Sequence, residues 1–193
     1  MATKPGERKL QILQTLAEML ETPKGEKITT AALAAKLDCS EAALYRHFAS
    51  KAQMFEGLIE FIESSLFTLI NRINSEDNLD LRQTEAILRL LLQFAETNRG
   101  MTRVLIGDAL VNENERLQTR INALLDKVEA ALKQSLRVAA SNGALPSETD
   151  FSALANILRC FVMGRWEQFA RSGFNKLPTA QWPQQWPLLT RMF

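Results

Sequence analysis

A long segment without proline limits the folding of this chain more than any other feature of its sequence. The chain has 193 residues and six prolines, none of which lies between Pro23 and Pro146. Because proline interrupts helices, a proline-free run of this length favours them. Apolar residues also recur at spacings of three and four, and we find no alternating strand pattern. The sequence therefore predicts an all-α protein.

The N-terminal quarter predicts three short helices. The first spans about residues 8–21 and ends in a turn at 22–26. Thr29 or Thr30 caps the second helix. Ser40, whose hydroxyl can accept an otherwise unpaired backbone N–H, caps the third. The three helices together predict a compact N-terminal head.

The rest of the chain predicts a helical body. A capping box from Ser50 to Gln53 begins a fourth helix that continues to about Ile73. Four further helices and a short segment with two tryptophans follow, at about 80–97, 101–110, 113–142, 148–172 and 182–187. Gly143 and Pro146 end the third of these four helices. We expect the tryptophan segment to pack onto the body.

The segment between the first and fourth helices predicts the chemistry of the head. Two short helices are joined by a tight turn at Asp38-Cys39, and the second carries a polar tip of Tyr45, Arg46 and His47. This layout is typical of a helix-turn-helix that lays its second helix in the major groove of DNA. The sequence therefore predicts a DNA-binding head.

Two apolar stripes in the body, at 117–136 and 151–169, are long enough to pair with a second copy of the chain. Two helices from each subunit would bury both stripes in a dimer bundle. The alternative is that the stripes close the core of a single chain. We favour a homodimer, because one small recognition helix rarely gives specific affinity. The predicted domains are a helix-turn-helix domain at 1–52 and a helical dimerisation and partner-binding domain at 53–193.

Composition argues against several classes of protein. No apolar stretch approaches the ~18 residues of a membrane span, and the N-terminus has no apolar signal core, so we expect a cytoplasmic protein. Cys39 and Cys160 have no metal-ligand spacing, and we interpret both as buried, inert thiols. The net charge is only +1, with +2 in residues 1–51 and −1 in the remainder. This asymmetry has the sign expected of a DNA-binding head but is weak.

An enzyme finds no support in the sequence. His47 is the only histidine, so it can build neither a metal site nor a catalytic triad. We also find no paired-carboxylate signature, no Gly-rich phosphate loop and no metal cluster. We therefore expect no catalytic residue, no cofactor and no metal.

The run Ser-Glu-Ala-Ala-Leu-Tyr-Arg-His-Phe at 40–48, with the Ser-Lys pair after it, resembles the TetR family of helical DNA-binding regulators. Within that family, Ile28-Thr-Thr-Ala and Leu58-Ile-Glu-Phe-Ile-Glu are similar to a nucleoid occlusion subfamily. The resemblance spans about residues 8–190. It implies a TetR-like fold, with a three-helix head, a connecting fourth helix and a body that dimerises.

The resemblance also implies which residues contact DNA. Thr29 and Thr30 match a threonine pair that contacts phosphate, although they could serve only as helix caps. Ser40 and Ala43 lie at the start of the recognition helix, where side chains can reach base edges and Ala43 can pack on a thymine methyl.

The remaining contacts are expected on the duplex backbone. Tyr45 and His47 would hold phosphates, which sets register without reading sequence. Lys51 begins the fourth helix, where its ammonium and the helix N–H groups suit a phosphate, the alternative being a solvated lysine. The expected DNA-binding residues are Thr29, Thr30, Ser40, Ala43, Tyr45, Arg46, His47 and Lys51.

The subfamily resemblance implies a partner as well as DNA. Dimers of such proteins bind palindromic chromosomal sites and engage the C-terminal tail of the division protein FtsZ, which stops FtsZ polymers from forming over the nucleoid. Phe61, Leu90 and Asn98 match a groove for that tail, with core packing the alternative for the first two. Leu69 and Thr97 stand where the subfamily has arginine. The protein is expected at the nucleoid, with no small-molecule inducer.

A second function remains open at this point, that of a ligand-responsive TetR-type repressor. Such a repressor needs an interior cavity lined by aromatic side chains with a few polar groups. The fourth helix could offer Phe55, Phe61 and Phe67. Polar residues that would converge on the same interior are hard to name from the sequence.

Overall fold

The computed structural model describes residues 5–22, 28–76 and 80–193, and within these ranges every regular element is helical. The predicted all-α fold is therefore confirmed. The head and its connector contain α1 (Pro5–Leu20), α2 (Thr30–Lys36), α3 (Glu41–Tyr45) and α4 (Lys51–Asn74). The later helices are α5 (Arg82–Thr97), α6 (Arg99–Leu105), α7 (Glu115–Ser141), α8 (Phe151–Arg171) and α9 (Trp182–Leu189).

One predicted helix is wrong. The sequence pattern predicted a single helix at 101–110, whereas α6 ends at Leu105 and a separate 3₁₀ turn follows at Asp108–Leu110. Gly107 lies between them with a φ of 80°, a left-handed conformation that interrupts the helix and that glycine adopts at little steric cost. Of the turn predicted at 22–26, only Thr22 belongs to the described residues.

Side-chain caps begin α2, α3 and α4 where the sequence predicted them. The Oγ atoms of Thr29, Ser40 and Ser50 each accept the backbone N–H three residues later, at 3.1, 3.2 and 3.2 Å. Each cap satisfies a donor that the helix leaves unpaired, and losing one costs about 1 kcal/mol. These local bonds therefore fix where the helices of the head begin.

The turn between α2 and α3 is a Schellman motif. Cys39 N–H donates to Ala34 O at 3.0 Å, and Asp38 N–H donates to Ala35 O at 3.1 Å. Asp38 takes the left-handed conformation that the motif requires, with a φ of 51°, and aspartate tolerates it better than most residues. The predicted tight turn is therefore present, and it sets the direction of α3.

The chain separates into two compact units. The first unit comprises Met1–Ile62 and Asn98–Ile121, and the second comprises Glu63–Thr97 and Asn122–Phe193. The division falls within α4 and within α7. The domain boundary predicted between residues 52 and 53 stays a prediction.

In the first unit, α1 and α6 approach each other closely at Gly100. A Cβ on Gly100 would lie 1.8 Å from the backbone oxygen of Ala17, so only glycine fits. Nearby, Arg103 Nη1 donates to the carbonyl oxygens of Leu20 at 3.2 Å and Thr22 at 3.0 Å. This arginine therefore satisfies acceptors that the C-terminal end of α1 leaves open.

In the second unit, buried polar contacts accompany the apolar packing of α5, α7 and α8. Trp166 is almost wholly buried, and its indole N–H donates to Leu91 O at 3.0 Å. The buried hydroxyls of Thr84 and Ser135 lie 2.8 Å apart. At the C-terminus, Trp182 is buried and stacks on Trp186 with ring centroids 5.5 Å apart. The tryptophan segment thus packs onto this unit, as predicted.

The apolar stripes of α7 and α8 serve the core of the single chain, which corrects their assignment to a dimer bundle. In α8, most of the stripe is buried, and Phe151 and Phe161 are half-buried. The seven residues of the α7 stripe are all buried without a partner, namely Leu117, Ile121, Leu124, Leu125, Val128, Leu132 and Leu136. A dimer would have to use other faces of these helices, because buried side chains cannot contact a second subunit.

Candidate nucleic-acid interface

The recognition helix α3 buries one side and presents the other to solvent. Leu44 is fully buried, and Phe48 just after the helix is also buried. Glu41, Tyr45 and Arg46 are exposed, and Tyr45 keeps 44% of its surface accessible, which is high for an aromatic residue. The exposed side therefore carries a carboxylate, a phenol and a guanidinium.

Thr29 and Ser40 stand at the starts of α2 and α3, and both are exposed. Each hydroxyl oxygen accepts the capping bond described above, and an accepting hydroxyl still has its own hydrogen to donate. Capping and phosphate contact are therefore compatible at these two positions. Ala43 and His47, also predicted to contact DNA, are half-buried.

Thr30, Glu41 and Tyr45 form a hydrogen-bond network that joins α2 to α3. The Thr30 hydroxyl donates to Glu41 Oε2, and the Tyr45 hydroxyl lies 3.4 Å from Thr30 Oγ1, a long distance for a hydroxyl pair. Glu41 and Tyr45 are four residues apart, so they share one face of α3. The structure thus brings together two residues predicted to contact DNA and one that was not predicted.

Lys51 is held by an acidic partner within the first unit. Its Nζ forms an ion pair with Glu113 Oε1, and the two side chains keep only 21% and 12% of their surface accessible. The same Nζ lies 5.6 Å from the centroid of the Phe55 ring, within the range of a cation–π interaction. Lys51 is therefore neither a freely solvated lysine nor one whose charge is unopposed.

Two cationic residues of α1 contact other parts of the head. Arg8 Nη2 lies 3.4 Å from Leu37 O at the end of α2, and Arg8 Nη1 donates to Gln11 Oε1 at 2.7 Å. Lys9 Nζ lies 5.7 Å from the centroid of the Phe48 ring. Both side chains therefore have intramolecular roles, in packing and in satisfying the end of α2.

The residues predicted for the FtsZ tail belong to different units. Phe61, on α4, and Asn98, which precedes α6, lie in the first unit, and Leu90, on α5, lies in the second. All three are half-buried. Leu69, one of the two positions that depart from the subfamily, is an exposed large apolar residue. The groove itself stays a prediction.

Glu41 and Glu113 were not predicted from the sequence, because contact with DNA was expected from cations and hydroxyls. Glu41 could have been found from its spacing to Tyr45, which puts both on the exposed face of α3. Glu113 had no comparable signal, since it lies 62 positions from Lys51.

Other expectations can be compared with the described part of the chain. Cys160 is exposed and Cys39 is half-buried, so the interpretation of both as buried thiols is wrong. Within residues 5–22, 28–76 and 80–193, no group of three His, Cys, Asp or Glu side chains is placed to hold a metal ion. None of the helices described there has the length and apolarity needed to cross a membrane.

Two family models match this chain. One, SlmA-like and described as a tetracyclin repressor-like C-terminal domain, matches residues 79–193. The other, described as bacterial regulatory proteins of the tetR family, matches residues 24–58, which contain the whole helix-turn-helix. The second match therefore includes both α2 and α3.

Curated relatives match along the full length. A protein of Alteromonas mediterranea is 50% identical over 192 residues, which cover 100% of this chain and 98% of the relative. One of Shewanella pealeana is 52% identical, over 93% of this chain and 91% of the relative. Both are named nucleoid occlusion factor SlmA.

Solved structures share the fold at low identity. A TetR transcription regulator from Haloarcula marismortui superposes with a TM-score of 0.80 at 15% identity, covering 97% of this chain and 98% of that one. The predicted TetR-like fold is thereby confirmed.

Proposed function

The chain belongs to the SlmA family of nucleoid occlusion factors, and from this membership we propose that it binds palindromic chromosomal DNA as a homodimer and, while bound, antagonises FtsZ assembly. Division would then be blocked over the nucleoid. The observation that carries the proposal is the identity of about 50% to SlmA proteins along the whole chain. Proteins with a TetR-type head are DNA-binding regulators and not enzymes.

The geometry of the head supports contact with a duplex. Thr29 and Ser40 expose hydroxyls at the starts of α2 and α3, and Tyr45 and Arg46 project from the exposed side of α3. Hydroxyl, phenol and guanidinium groups are the donors that phosphate oxygens accept, and arginine also reads guanine in the major groove. Arg46 could therefore contact either the phosphate backbone of the DNA or a base edge.

The short recognition helix supports a dimer. Since α3 has five residues, it offers few side chains to one groove, and two copies about one DNA turn (~34 Å) apart would read a palindrome. The candidate dimer face is the outer side of α8, where Ile157 keeps 47% of its surface accessible and Cys160 is exposed one turn later. Ile157→Glu should shift the sedimenting species from dimer to monomer, while sedimentation as a dimer would exclude this face.

The DNA-binding part is tested with Thr29→Ala and Tyr45→Ala, measured by gel shift and by sedimentation. Both variants should weaken DNA binding and leave dimerisation intact, since neither side chain lies on the proposed dimer face. Tyr45→Phe keeps the ring and removes only the hydroxyl, so it should also weaken DNA binding if the hydroxyl donates to phosphate. Unchanged DNA affinity in both alanine variants would count against the assigned face.

The FtsZ part is tested by polymerisation of FtsZ in the presence of this protein, followed by light scattering. A palindromic duplex selected by the protein itself should be needed for strong inhibition, and the same duplex with scrambled half-sites should have little effect. Assembly of FtsZ at the same rate under all conditions would contradict the proposal.

The alternative, a ligand-responsive repressor, has weaker support, because relatives about 50% identical to this chain are named nucleoid occlusion factors. A pocket on the second unit, at the C-terminal end of α8, is lined by polar and charged side chains such as Glu167, Gln168 and Arg171. An inducer cavity would instead be enclosed and largely apolar. Release of bound DNA by a small molecule, seen as a loss of gel shift, would favour the alternative.

A further inference from the structure

We propose that Glu41 is a specificity residue that selects cytosine in each half-site and controls when Thr30 can contact phosphate. The inference rests on the proposed DNA-binding function and adds a base-reading residue to it. Glu41 is the first residue of α3 and is exposed. It therefore lies at the N-terminal end of the recognition helix, the end that contacts base edges in a helix-turn-helix.

In the free protein, the Glu41 carboxylate already accepts a hydrogen bond from a residue of α2. The Thr30 hydroxyl donates to Glu41 Oε2, and the Tyr45 hydroxyl is placed to donate to Thr30 Oγ1 at 3.4 Å. A hydroxyl has one hydrogen, so Thr30 cannot donate to Glu41 and to a phosphate at the same time. The network thus withholds from the duplex the donor that a phosphate contact requires.

Contact with DNA makes this arrangement unfavourable for Glu41. When Thr30 turns to a phosphate, the carboxylate loses its donor while negative charge approaches it. An acceptor that loses its donor in an interface is costly, and repulsion from the phosphates adds to that cost. Glu41 must therefore find a new donor on the duplex.

The major groove offers few donors to a carboxylate. The base-edge donors there are the amino groups of cytosine and adenine. Adenine presents its N7 acceptor beside the amino group, which disfavours a second acceptor, whereas glutamate accepts well from cytosine N4. Cytosine is therefore the base that satisfies Glu41.

Base reading and phosphate contact are coupled by this exchange. At a cytosine, Glu41 accepts from the base and Thr30 is released to the backbone. At any other base, Thr30 stays on Glu41 or the carboxylate goes unpaired. We expect about 5- to 150-fold discrimination per half-site, the range that one good side-chain pairing with a base provides.

The test is selection from a duplex library with randomised palindromic half-sites, using the full chain and Glu41→Gln. Glutamine pairs with adenine through N6 and N7, so the variant should exchange cytosine for adenine at one position of each half-site and keep the others. Glu41→Ala should lose the cytosine preference without gaining adenine. Glu60→Gln, an exposed carboxylate on α4, is the charge-matched control and should select the original site.

The outcomes separate this inference from the proposed function. If the unaltered chain enriches no sequence, the proposed DNA-binding function fails. If it enriches a site and Glu41→Gln enriches the same site, the specificity role of Glu41 is overturned. A uniform loss of affinity for all duplexes, without a change of base, would likewise overturn it, because Glu41 would then only position Thr30. Thermal unfolding of each variant checks that the head remains folded.

Discussion

The ion pair between Lys51 and Glu113 leads to a prediction with an unusual sign. Glu113→Gln removes a negative charge from the protein without adding a cation, and it should strengthen binding to DNA. In the free protein, the two side chains are mostly shielded from solvent and paired with each other. If Lys51 contacts phosphate, as predicted, Glu113 competes with the duplex for its ammonium.

The magnitude follows from the number of charges released. An exposed ion pair contributes at most about 1 kcal/mol. Since the pair is only partly exposed, we take that value as the gain per head. It corresponds to about fivefold in affinity for one head and roughly 30-fold for a dimer. If Glu113 keeps Lys51 from the phosphate in the unaltered protein, each head of the variant neutralises one more phosphate, which steepens the dependence of log affinity on log salt by about 0.9, or about 1.8 for a dimer.

The assay is a titration of the selected duplex by fluorescence anisotropy at several salt concentrations. Lys51→Met should weaken binding, and the double variant should bind no better than Lys51→Met alone, because the gain depends on the freed ammonium. Glu63→Gln is the matched control, since Glu63 pairs with Lys127 in the second unit. Unchanged affinity and salt slope in Glu113→Gln would refute the reasoning and remove Lys51 from the interface.

Three further predictions concern the fold, the partner and pH. Gly100→Ala should destabilise the protein to urea by about 1–3 kcal/mol, because the methyl would meet a backbone oxygen of α1 at 1.8 Å. A free energy of unfolding equal to that of the unaltered protein would contradict the close packing. Phe61→Ala and Asn98→Glu should retain DNA binding and lose an FtsZ tail peptide in anisotropy, and normal peptide binding by both would exclude the groove. Two backbone N–H groups at the start of α8 donate to Asp150 and lower the pKa of its carboxyl. The ionised carboxylate therefore stabilises the folded protein above its ordinary pKa, and this stabilisation is lost as pH falls through the lower folded value. Asp150→Asn should show a flatter decline of Tm below about pH 4, and a decline identical to that of the unaltered protein would count against the cap.

Much of the head could be predicted from the sequence, because its geometry depends on neighbouring residues. The caps at Thr29, Ser40 and Ser50 and the turn at Asp38 involve bonds between residues three to five positions apart. The failure at Gly107 is of a different kind, since the apolar pattern continued across a glycine whose left-handed φ ended the helix. A periodic pattern alone does not report the conformation of one residue within it.

The amino-acid order by itself determined the helical class, the position of the helix-turn-helix and the polar tip of α3, because periodicity and capping act over one or two turns. Only the tertiary structure decided that Glu41 accepts a hydrogen bond from the hydroxyl of Thr30, 11 positions away, and that Glu113 forms an ion pair with Lys51. It also decided that the apolar stripe of α7 is buried in the core of a single chain. Such pairings depend on how distant segments meet in three dimensions, and no local spacing encodes which acidic side chain will reach a given donor.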